Sequence, residues 1–231
     1  MNITKKIIGL SLLILLLSAF GTAEAQTTAV DNYSALITWR ANNYFPSNFR
    51  GKALPTNGTT VSLSAVLLDN QKIQDVSGLP ILWYVDGNFL NGGIGDYQTS
   101  FQVTKTAGSS HMVNVQIGTA NQTVSASIAI PVVNYQAVVN VPYPADTVKQ
   151  NSTANLEIIP YFFNVNSFGD FLFSWNINNI QNVTSTPQNT LSLNIGQVDP
   201  SQGAIGVNVS VQNTSNAFEF AYGKTNLYVE Q

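Results

Sequence analysis

The sequence predicts an all-β chain built from two tandem β-sandwich domains behind a signal peptide. Its periodic segments are short, rich in β-branched and aromatic residues, and separated by turn residues, a pattern typical of sandwiches. No mature segment carries the apolar period of an amphipathic helix. The two halves of the chain also repeat each other, which indicates two copies of one domain of roughly 100 residues.

The repeat extends over four segments that occur in the same order at offsets of 92 to 94 residues. A tryptophan strand holds Trp83 in the first copy and Trp175 in the second. The other aligned segments are 61–66 with 154–159, residues 101 and 103 with 193 and 195, and 113–117 with 207–211. Four matches in one order at nearly constant spacing indicate duplication of a whole domain.

The segment 81–88 alternates around Trp83 and ends in Asp86-Gly87-Asn88, a strong tight-turn signal. A tryptophan on a central strand closed by a hairpin is how immunoglobulin-like sandwiches hold their two sheets together. We therefore expect two tandem immunoglobulin-like β-sandwich domains, with Trp83 and Trp175 in their structural cores. A ligand-stacking role for either indole is the alternative.

Residues 1–25 are predicted to be a secretory signal peptide. Lys5 and Lys6 precede an apolar run, and Ala23 and Ala25 provide the small residues before a cleavage site at Gln26. The run is shorter than the roughly 20 residues of a spanning helix, and no second apolar stretch follows, so we expect no transmembrane anchor beyond it. An uncleaved anchor is the alternative.

Composition narrows the class of protein further. Charged residues make up 9% of the chain, the formal net charge is −3, and there is no cysteine. The charge gives no basic footprint for nucleic acid, and the missing cysteines exclude disulfides and thiolate chemistry. An exported chain without cysteine suggests a bacterial source, located outside the cell, at its surface or in the periplasm.

The first domain is predicted to span residues 26–133. A first strand at 35–40 leads into a long connection that ends in a turn at 55–58. The later strands are predicted by alternation of apolar and polar residues, with a glycine-rich loop at 91–95. These strands lie at 60–68, 79–85, 97–103, 111–117 and 123–133.

The second domain is predicted to span residues 134–231. Its junction with the first contains no Gly/Ser run, so we expect it to be short and stiff. Pro160 inside the second strand indicates an edge or bulge position. The predicted strands lie at 135–141, 153–163, 170–178, 190–195, 204–211 and 218–229.

Chemistry-bearing motifs are scarce, so no catalytic residue, cofactor or metal site is predicted. His111 is the one histidine; without a nearby acid in sequence or a Gly-x-Ser-x-Gly elbow, it favours a surface or strand-end position over a hydrolase triad. The acids stand singly at turns, without a setting for sugar hydrolysis. Calcium ligation by Asp69, Asp86 and Asp96 is weighed against the ordinary preference of Asp for turns, which we favour.

One loop is a candidate for contact with a ligand or partner, because it combines aromatic residues with arginine as binding hot spots do. Its candidate residues are Trp39, Arg40, Tyr44, Phe45, Phe49 and Arg50. The loop could grip a glycan face or a partner protein. The alternative is that its aromatic rings cap the sandwich or wedge between the domains.

The tryptophan strand and turn at 83–88 and the Val-x-Val-x-Ile strand at 113–117, behind an export signal, resemble bacterial immunoglobulin-like or PKD-like surface domains. The run Gly-Lys-Ala-Leu-Pro at 51–55 also resembles two-domain exported proteins of candidate-phylum bacteria. The resemblance covers the whole mature chain as two copies. It implies surface adhesion or spacing and supplies no catalytic residue.

The sequence therefore favours a non-enzymatic exported protein of the cell surface or envelope, acting in adhesion, protein interaction or structural spacing. One alternative is a carbohydrate-binding module that uses the Trp39–Arg50 loop. Another is a periplasmic accessory of a pilus or secretion machine. The expected partner is a protein or a glycan.

Overall fold

The computed structural model describes residues 32–178, 180–185, 188–196 and 204–230. The described residues form sixteen strands and two short 3-10 turns, at Pro144–Asp146 and Phe168–Asp170, and contain no α-helix. Tyr33–Gln231 make one compact unit. The predicted signal peptide, residues 1–25, lies outside the described residues.

The first sandwich consists of two four-stranded sheets. One sheet holds β1 (Tyr33–Asn42), β2 (Thr60–Asp69), β3 (Lys72–Ile73) and β6 (Gln98–Gln102). The other, in the order β5-β4-β7-β8, holds β4 (Pro80–Val85), β5 (Asn88–Ile94), β7 (Ser110–Gly118) and β8 (Thr123–Pro131). In the first sheet β2 is central, since β1 pairs along one side and β6 and β3 along the other.

The second sandwich repeats this plan. One sheet has the order β14-β11-β9, from β9 (Gln136–Asn140), β11 (Thr153–Tyr161) and β14 (Thr190–Asn194). The other has the order β10-β16-β15-β12-β13, from β10 (Thr147–Lys149), β12 (Phe171–Ile177), β13 (Ile180–Ser185), β15 (Ala204–Asn213) and β16 (Asn216–Glu230). All pairs are antiparallel except β10 with β16.

The strand order confirms two tandem immunoglobulin-like sandwiches. In each, the second long strand is central to one sheet, and the tryptophan strand pairs with the penultimate strand in the other. The four segments aligned in sequence occupy matching places, as the pairs β2 and β11, β4 and β12, β6 and β14, and β7 and β15. The exact boundary between residues 133 and 134 stays a prediction.

Each sandwich has its own hydrophobic core, because alternate residues of both sheets face inward. The Trp83 side chain is 0% exposed and its indole N–H donates to the Asp96 carbonyl at 2.9 Å. Trp175 is 1% exposed. Among the described residues its indole nitrogen has no hydrogen-bond partner.

One local prediction was wrong. The glycine-rich stretch 91–95 is not a flexible loop, because most of it belongs to β5. Asp86 and Gly87 both have positive φ, 53° and 81°, and close a tight hairpin that carries the chain back along β4. Gly92 permits this close pairing, since a Cβ there would lie 2.7 Å from the Ile81 carbonyl oxygen.

His111 was expected at the surface or at a strand end, and the strand-end position is confirmed. It does lie near the start of β7, but it is buried, with 3% exposure. Pairing of β7 with the neighbouring strands turns its ring inward against Phe101, with the ring centroids 5.2 Å apart.

The two tryptophans should respond differently to replacement by phenylalanine. Both substitutions remove the same indole volume from a core, but Trp83→Phe also leaves the Asp96 carbonyl without its donor. We expect Trp83→Phe to lower the free energy of unfolding by about 1–3 kcal/mol more than Trp175→Phe. Denaturant unfolding of both variants measures the difference, and equal losses would contradict this role for the indole hydrogen bond.

Candidate functional site

The central part of the loop predicted to contact a ligand or partner lies between the two sandwiches. The backbone of Tyr44 pairs with the second sandwich in an isolated bridge, since its N–H donates to the Phe163 carbonyl and its carbonyl accepts from the Phe162 N–H, both at 2.7 Å. The Tyr44 ring packs edge-on against Phe171, with centroids 5.0 Å apart. Burial raises the pKa of Tyr44, and the charge of Glu157 adds to the effect.

A second aromatic contact lies beside the first. Phe49 packs edge-on against Tyr161 and Phe162 of the second sandwich, with centroid distances of 5.5 and 5.9 Å. Phe45 packs against Phe49 at 6.1 Å rather than directly on the second sandwich. The three aromatic rings at the loop centre are therefore half-buried in the junction.

The remaining candidate residues lie elsewhere. Trp39 is half-buried on the inner side of β1, and the Lys52 ammonium stands 3.5 Å from its ring centroid, a cation–π contact. Burial lowers the pKa of Lys52. Arg40 and Arg50 are exposed. The structure thus brings Tyr44, Phe45 and Phe49 together and separates the two arginines from them; assignment of the six residues to ligand or partner contact stays a prediction.

A buried carboxylate, which sequence reasoning did not single out, organises the facing end of the second sandwich. Glu219 is 5% exposed, and four N–H groups donate to its two oxygens. The donors are the backbone N–H of Asn164 at 3.0 Å and the side-chain amides of Asn164, Asn213 and Asn216, each at 3.1 Å. These charge-assisted bonds hold the loop after β11 against the β15–β16 hairpin.

Asn164 carries the network into the first sandwich. Its side-chain amide donates to the Asn57 carbonyl at 2.9 Å, and its side-chain oxygen accepts from the Thr59 hydroxyl at 2.6 Å. The Tyr135 hydroxyl donates to the same Asn57 carbonyl at 3.0 Å, and the Thr56 hydroxyl donates to the Phe162 carbonyl at 3.0 Å. One asparagine therefore joins the turn at 55–58 to the buried acid of the other domain.

The network also affects a neighbouring phenol. Tyr135 stacks on Phe163, with centroids 5.1 Å apart, at the start of the second sandwich. Burial raises the pKa of Tyr135, the charge of Glu219 raises it further, and hydrogen bonds with Thr56 and Asn164 oppose the shift. We conclude that the phenol is held in its neutral form as part of the junction.

Glu219 left one signal in the sequence. In the run 218–223 it alternates with exposed Phe218, Phe220 and Tyr222, and therefore takes the inward side together with alanine and glycine. An acid on the inward side of an apolar strand indicates a buried, hydrogen-bonded group. Its partner Asn164 left no comparable signal, because asparagine is common in the loops of this chain.

A second polar cluster lies in the first sandwich. The Asp86 carboxylate accepts hydrogen bonds from His111 Nδ1 at 2.7 Å, from the Lys105 ammonium at 2.7 Å and from the Met112 backbone N–H at 2.9 Å. The Thr104 N–H donates to His111 Nε2 at 3.4 Å, so Nδ1 carries the proton that bonds to the carboxylate. Both ring nitrogens are thereby engaged in internal bonds rather than directed at a nucleophile.

This cluster sets the protonation of Asp86. Partial burial would raise the pKa of its carboxyl, but the bonds from Lys105, Met112 and His111 outweigh that effect and lower the pKa to about 2.

Among the described residues, no group of three His, Asp or Glu side chains is placed to hold a metal ion. The described part of the chain contains no helix of the length and apolarity needed to cross a membrane.

No family model matches the chain, and no curated protein sequence matches it. Solved structures similar to it include the three N-terminal domains of the highly immunogenic outer capsid protein of bacteriophage RB49, at 12% identity and a TM-score of 0.45. That match covers 85% of this chain and 59% of the capsid chain, so this chain spans less than two thirds of it.

Two further similar structures contain modules of related architecture. The fibronectin(III)-like modules of Clostridium thermocellum CbhA match at 12% identity and a TM-score of 0.29, over 85% of this chain and 95% of theirs. An I-band fragment of titin matches at 11% identity and a TM-score of 0.32, over 84% of this chain and 65% of its own. Membership in the PKD family stays a prediction.

The Asp86 cluster predicts a specific dependence of stability on pH. The folded-state pKa of about 2 lies below the 3.8 of a free aspartate carboxyl, so the carboxylate stabilises the fold above about pH 4 and loses this effect as the pH falls towards 2. We expect the difference in free energy of unfolding between the native chain and Asp86→Asn to be largest near neutral pH and to shrink below pH 4.

Urea unfolding between about pH 7 and pH 2.5 measures this difference, with Asp69→Asn as the control for loss of one surface carboxylate. A difference that stays constant over the whole range would contradict the pairing of Asp86 with Lys105 and His111.

Proposed function

We propose that this chain is a non-enzymatic exported protein of the cell surface or envelope that acts through the fixed relation of its two sandwiches. The observation that carries the proposal is the junction, in which backbone pairing, ring contacts and the hydrogen bonds of Asn164 join the two domains, while Asn164 is itself held by buried Glu219. Domains joined only by a flexible linker would lack such contacts and would move independently.

Several contacts of different kind support rigidity. The Tyr44–Phe163 bridge fixes the loop backbone, the Phe49 contacts bury aromatic surface, and Asn164 satisfies buried polar groups on both sides. A partly satisfied polar network is costly, whereas a fully satisfied one specifies one arrangement. A rigid pair of binding modules presents both outer surfaces at a constant spacing, which suits adhesion, protein interaction or structural spacing.

Export is part of the proposal and rests on the sequence of residues 1–25. The resemblance of the whole mature chain to bacterial surface domains agrees with it. The alternative in which the Trp39–Arg50 loop binds a glycan as a module is not favoured by the positions of Tyr44 and Phe49, since both rings pack on the second sandwich. A role as an accessory of a pilus or secretion machine has no observation in its favour.

Loss of the Asn164 side chain should loosen the junction. The chain has no cysteine, so one spin label can be placed on each sandwich through Ser125→Cys and Asn208→Cys, both on exposed strand positions. We expect pulsed electron paramagnetic resonance to give one narrow distance distribution in the native background. After Asn164→Ala the distribution should be clearly broader, because both hydrogen bonds between the Asn164 side chain and the first sandwich are lost.

Asn155→Ala is the matched control, since the partner of that amide group, Ser192, lies in the same sandwich. A broad distribution in the native background would contradict the rigid junction, and an unchanged narrow one after Asn164→Ala would contradict the role of Asn164 in fixing it. Export is tested separately: the mature chain should begin at Gln26, and recovery of the intact chain beginning at Met1 from the exported fraction would contradict cleavage.

A further inference from the structure

The outer face of one sheet in the first sandwich forms an open polar groove of about 570 Å³. Register places its side chains in two rows across three strands: Thr38, Ser64 and Gln98 in one, and Arg40, Ser62 and Ser100 in the next. All of them point away from the core, because they alternate with buried residues such as Leu63. These two rows therefore present hydroxyls, one amide and one guanidinium, and the next row of the same face, outside the groove, is the aliphatic pair Leu36 and Val66.

These side chains are little used within the protein. Among the described residues, two hydrogen bonds involve the side chains of these rows: the Thr38 hydroxyl donates to the Ser64 carbonyl at 3.4 Å, and the Asn42 amide donates to the Ser62 hydroxyl at 3.3 Å. Within the described ranges, Arg40 has no carboxylate partner. Among the same residues, the Gln98 amide has no hydrogen-bond partner. The hydrogen-bonding capacity of the groove is thus available to a ligand.

The second copy of the domain provides an internal comparison. Its corresponding face carries Asn155 and Glu157 where the first carries Ser62 and Ser64, and there the polar groups bond to one another. The Ser192 hydroxyl donates to the Asn155 side-chain oxygen at 2.7 Å, and the Asn189 amide donates to Glu157 at 3.1 Å. The second copy therefore carries larger polar side chains on this face, including an acid, and they bond to one another. The first copy carries small hydroxyl side chains and one cation.

We propose that the groove binds an acidic saccharide, a chain of sugars that bear carboxylates. Arg40 would pair with a carboxylate, for which the guanidinium fork is suited. The serine hydroxyls and the Gln98 amide would bond to sugar hydroxyls, as the few placed polar groups of a ligand site do.

Other occupants fit the groove less well. A protein partner is recognised through aromatic or aliphatic anchors, whereas the outward side chains of the groove itself are mostly small hydroxyl groups. Nucleic acid requires several cations along its backbone, and the chain has a formal net charge of −3. The inference does not depend on the rigid junction, since every residue of the groove belongs to the first sandwich.

Binding can be tested with oligogalacturonate as the carboxylated probe, neutral oligogalactose as its uncharged counterpart and dextran sulfate as a general polyanion. Calorimetry on the full mature chain should detect oligogalacturonate alone. We expect Arg40→Ala to weaken its binding about tenfold to a hundredfold, through loss of a charge-assisted pair. Lys149→Ala, which removes an exposed cation from the second sandwich, should leave binding unchanged.

A second variant gives the groove the acid that the second sandwich has at the corresponding position. Ser64→Glu introduces the acid that Glu157 supplies there, and it should abolish binding while Arg40 remains in place. Unchanged thermal unfolding of both variants shows that the fold is kept. Failure of the native chain to bind oligogalacturonate, equal binding of dextran sulfate, or full binding by either variant would overturn the proposal.

Discussion

The junction depends on one buried carboxylate and the N–H groups that surround it. Removing Glu219 from water would cost several kcal/mol if it were unpaired, so its four donors are needed for the fold to tolerate it. All four donors belong to Asn164 in the loop after β11 and to Asn213 and Asn216 of the β15–β16 hairpin. Satisfying the acid therefore fixes the end of the second sandwich in the shape that receives the first.

The aromatic contacts around this acid act in the same direction. Tyr44 and Phe49 bury ring surface against the second sandwich, and apolar burial supplies the non-directional part of the attraction. The Asn164 bonds supply direction, because amide geometry is satisfied in only one relative position of the domains. The two kinds of contact together distinguish this junction from a linker.

Sequence reasoning predicted the parts that depend on local pattern. Strand alternation and the repeated tryptophan gave both sandwiches and the positions of their matching strands, because inward and outward residues alternate wherever one face is buried. It failed where contacts join distant segments. Asn57, Asn164 and Glu219 are separated by more than 50 residues at each step, and no period or spacing connects them.

The same limit explains why the burial of His111 was not foreseen and why β5 was predicted as a loop. Asp86 lies 25 residues before His111 in the chain, and only strand pairing brings them within 2.7 Å. The glycines of β5 were interpreted as flexibility, although Gly92 serves close approach of two backbones. Within the candidate loop, the sequence identified the aromatic residues and left open whether they meet a ligand or the neighbouring domain.

Whether the two sandwiches tumble as one body is the most direct question about this account. Residual dipolar couplings of backbone amides, fitted separately for each sandwich, report the alignment of each in the same sample. The account predicts that both sets fit one alignment tensor of the same magnitude and orientation. Tensors of clearly different magnitude would mean that the domains reorient independently, and would contradict a junction fixed by Glu219 and Asn164.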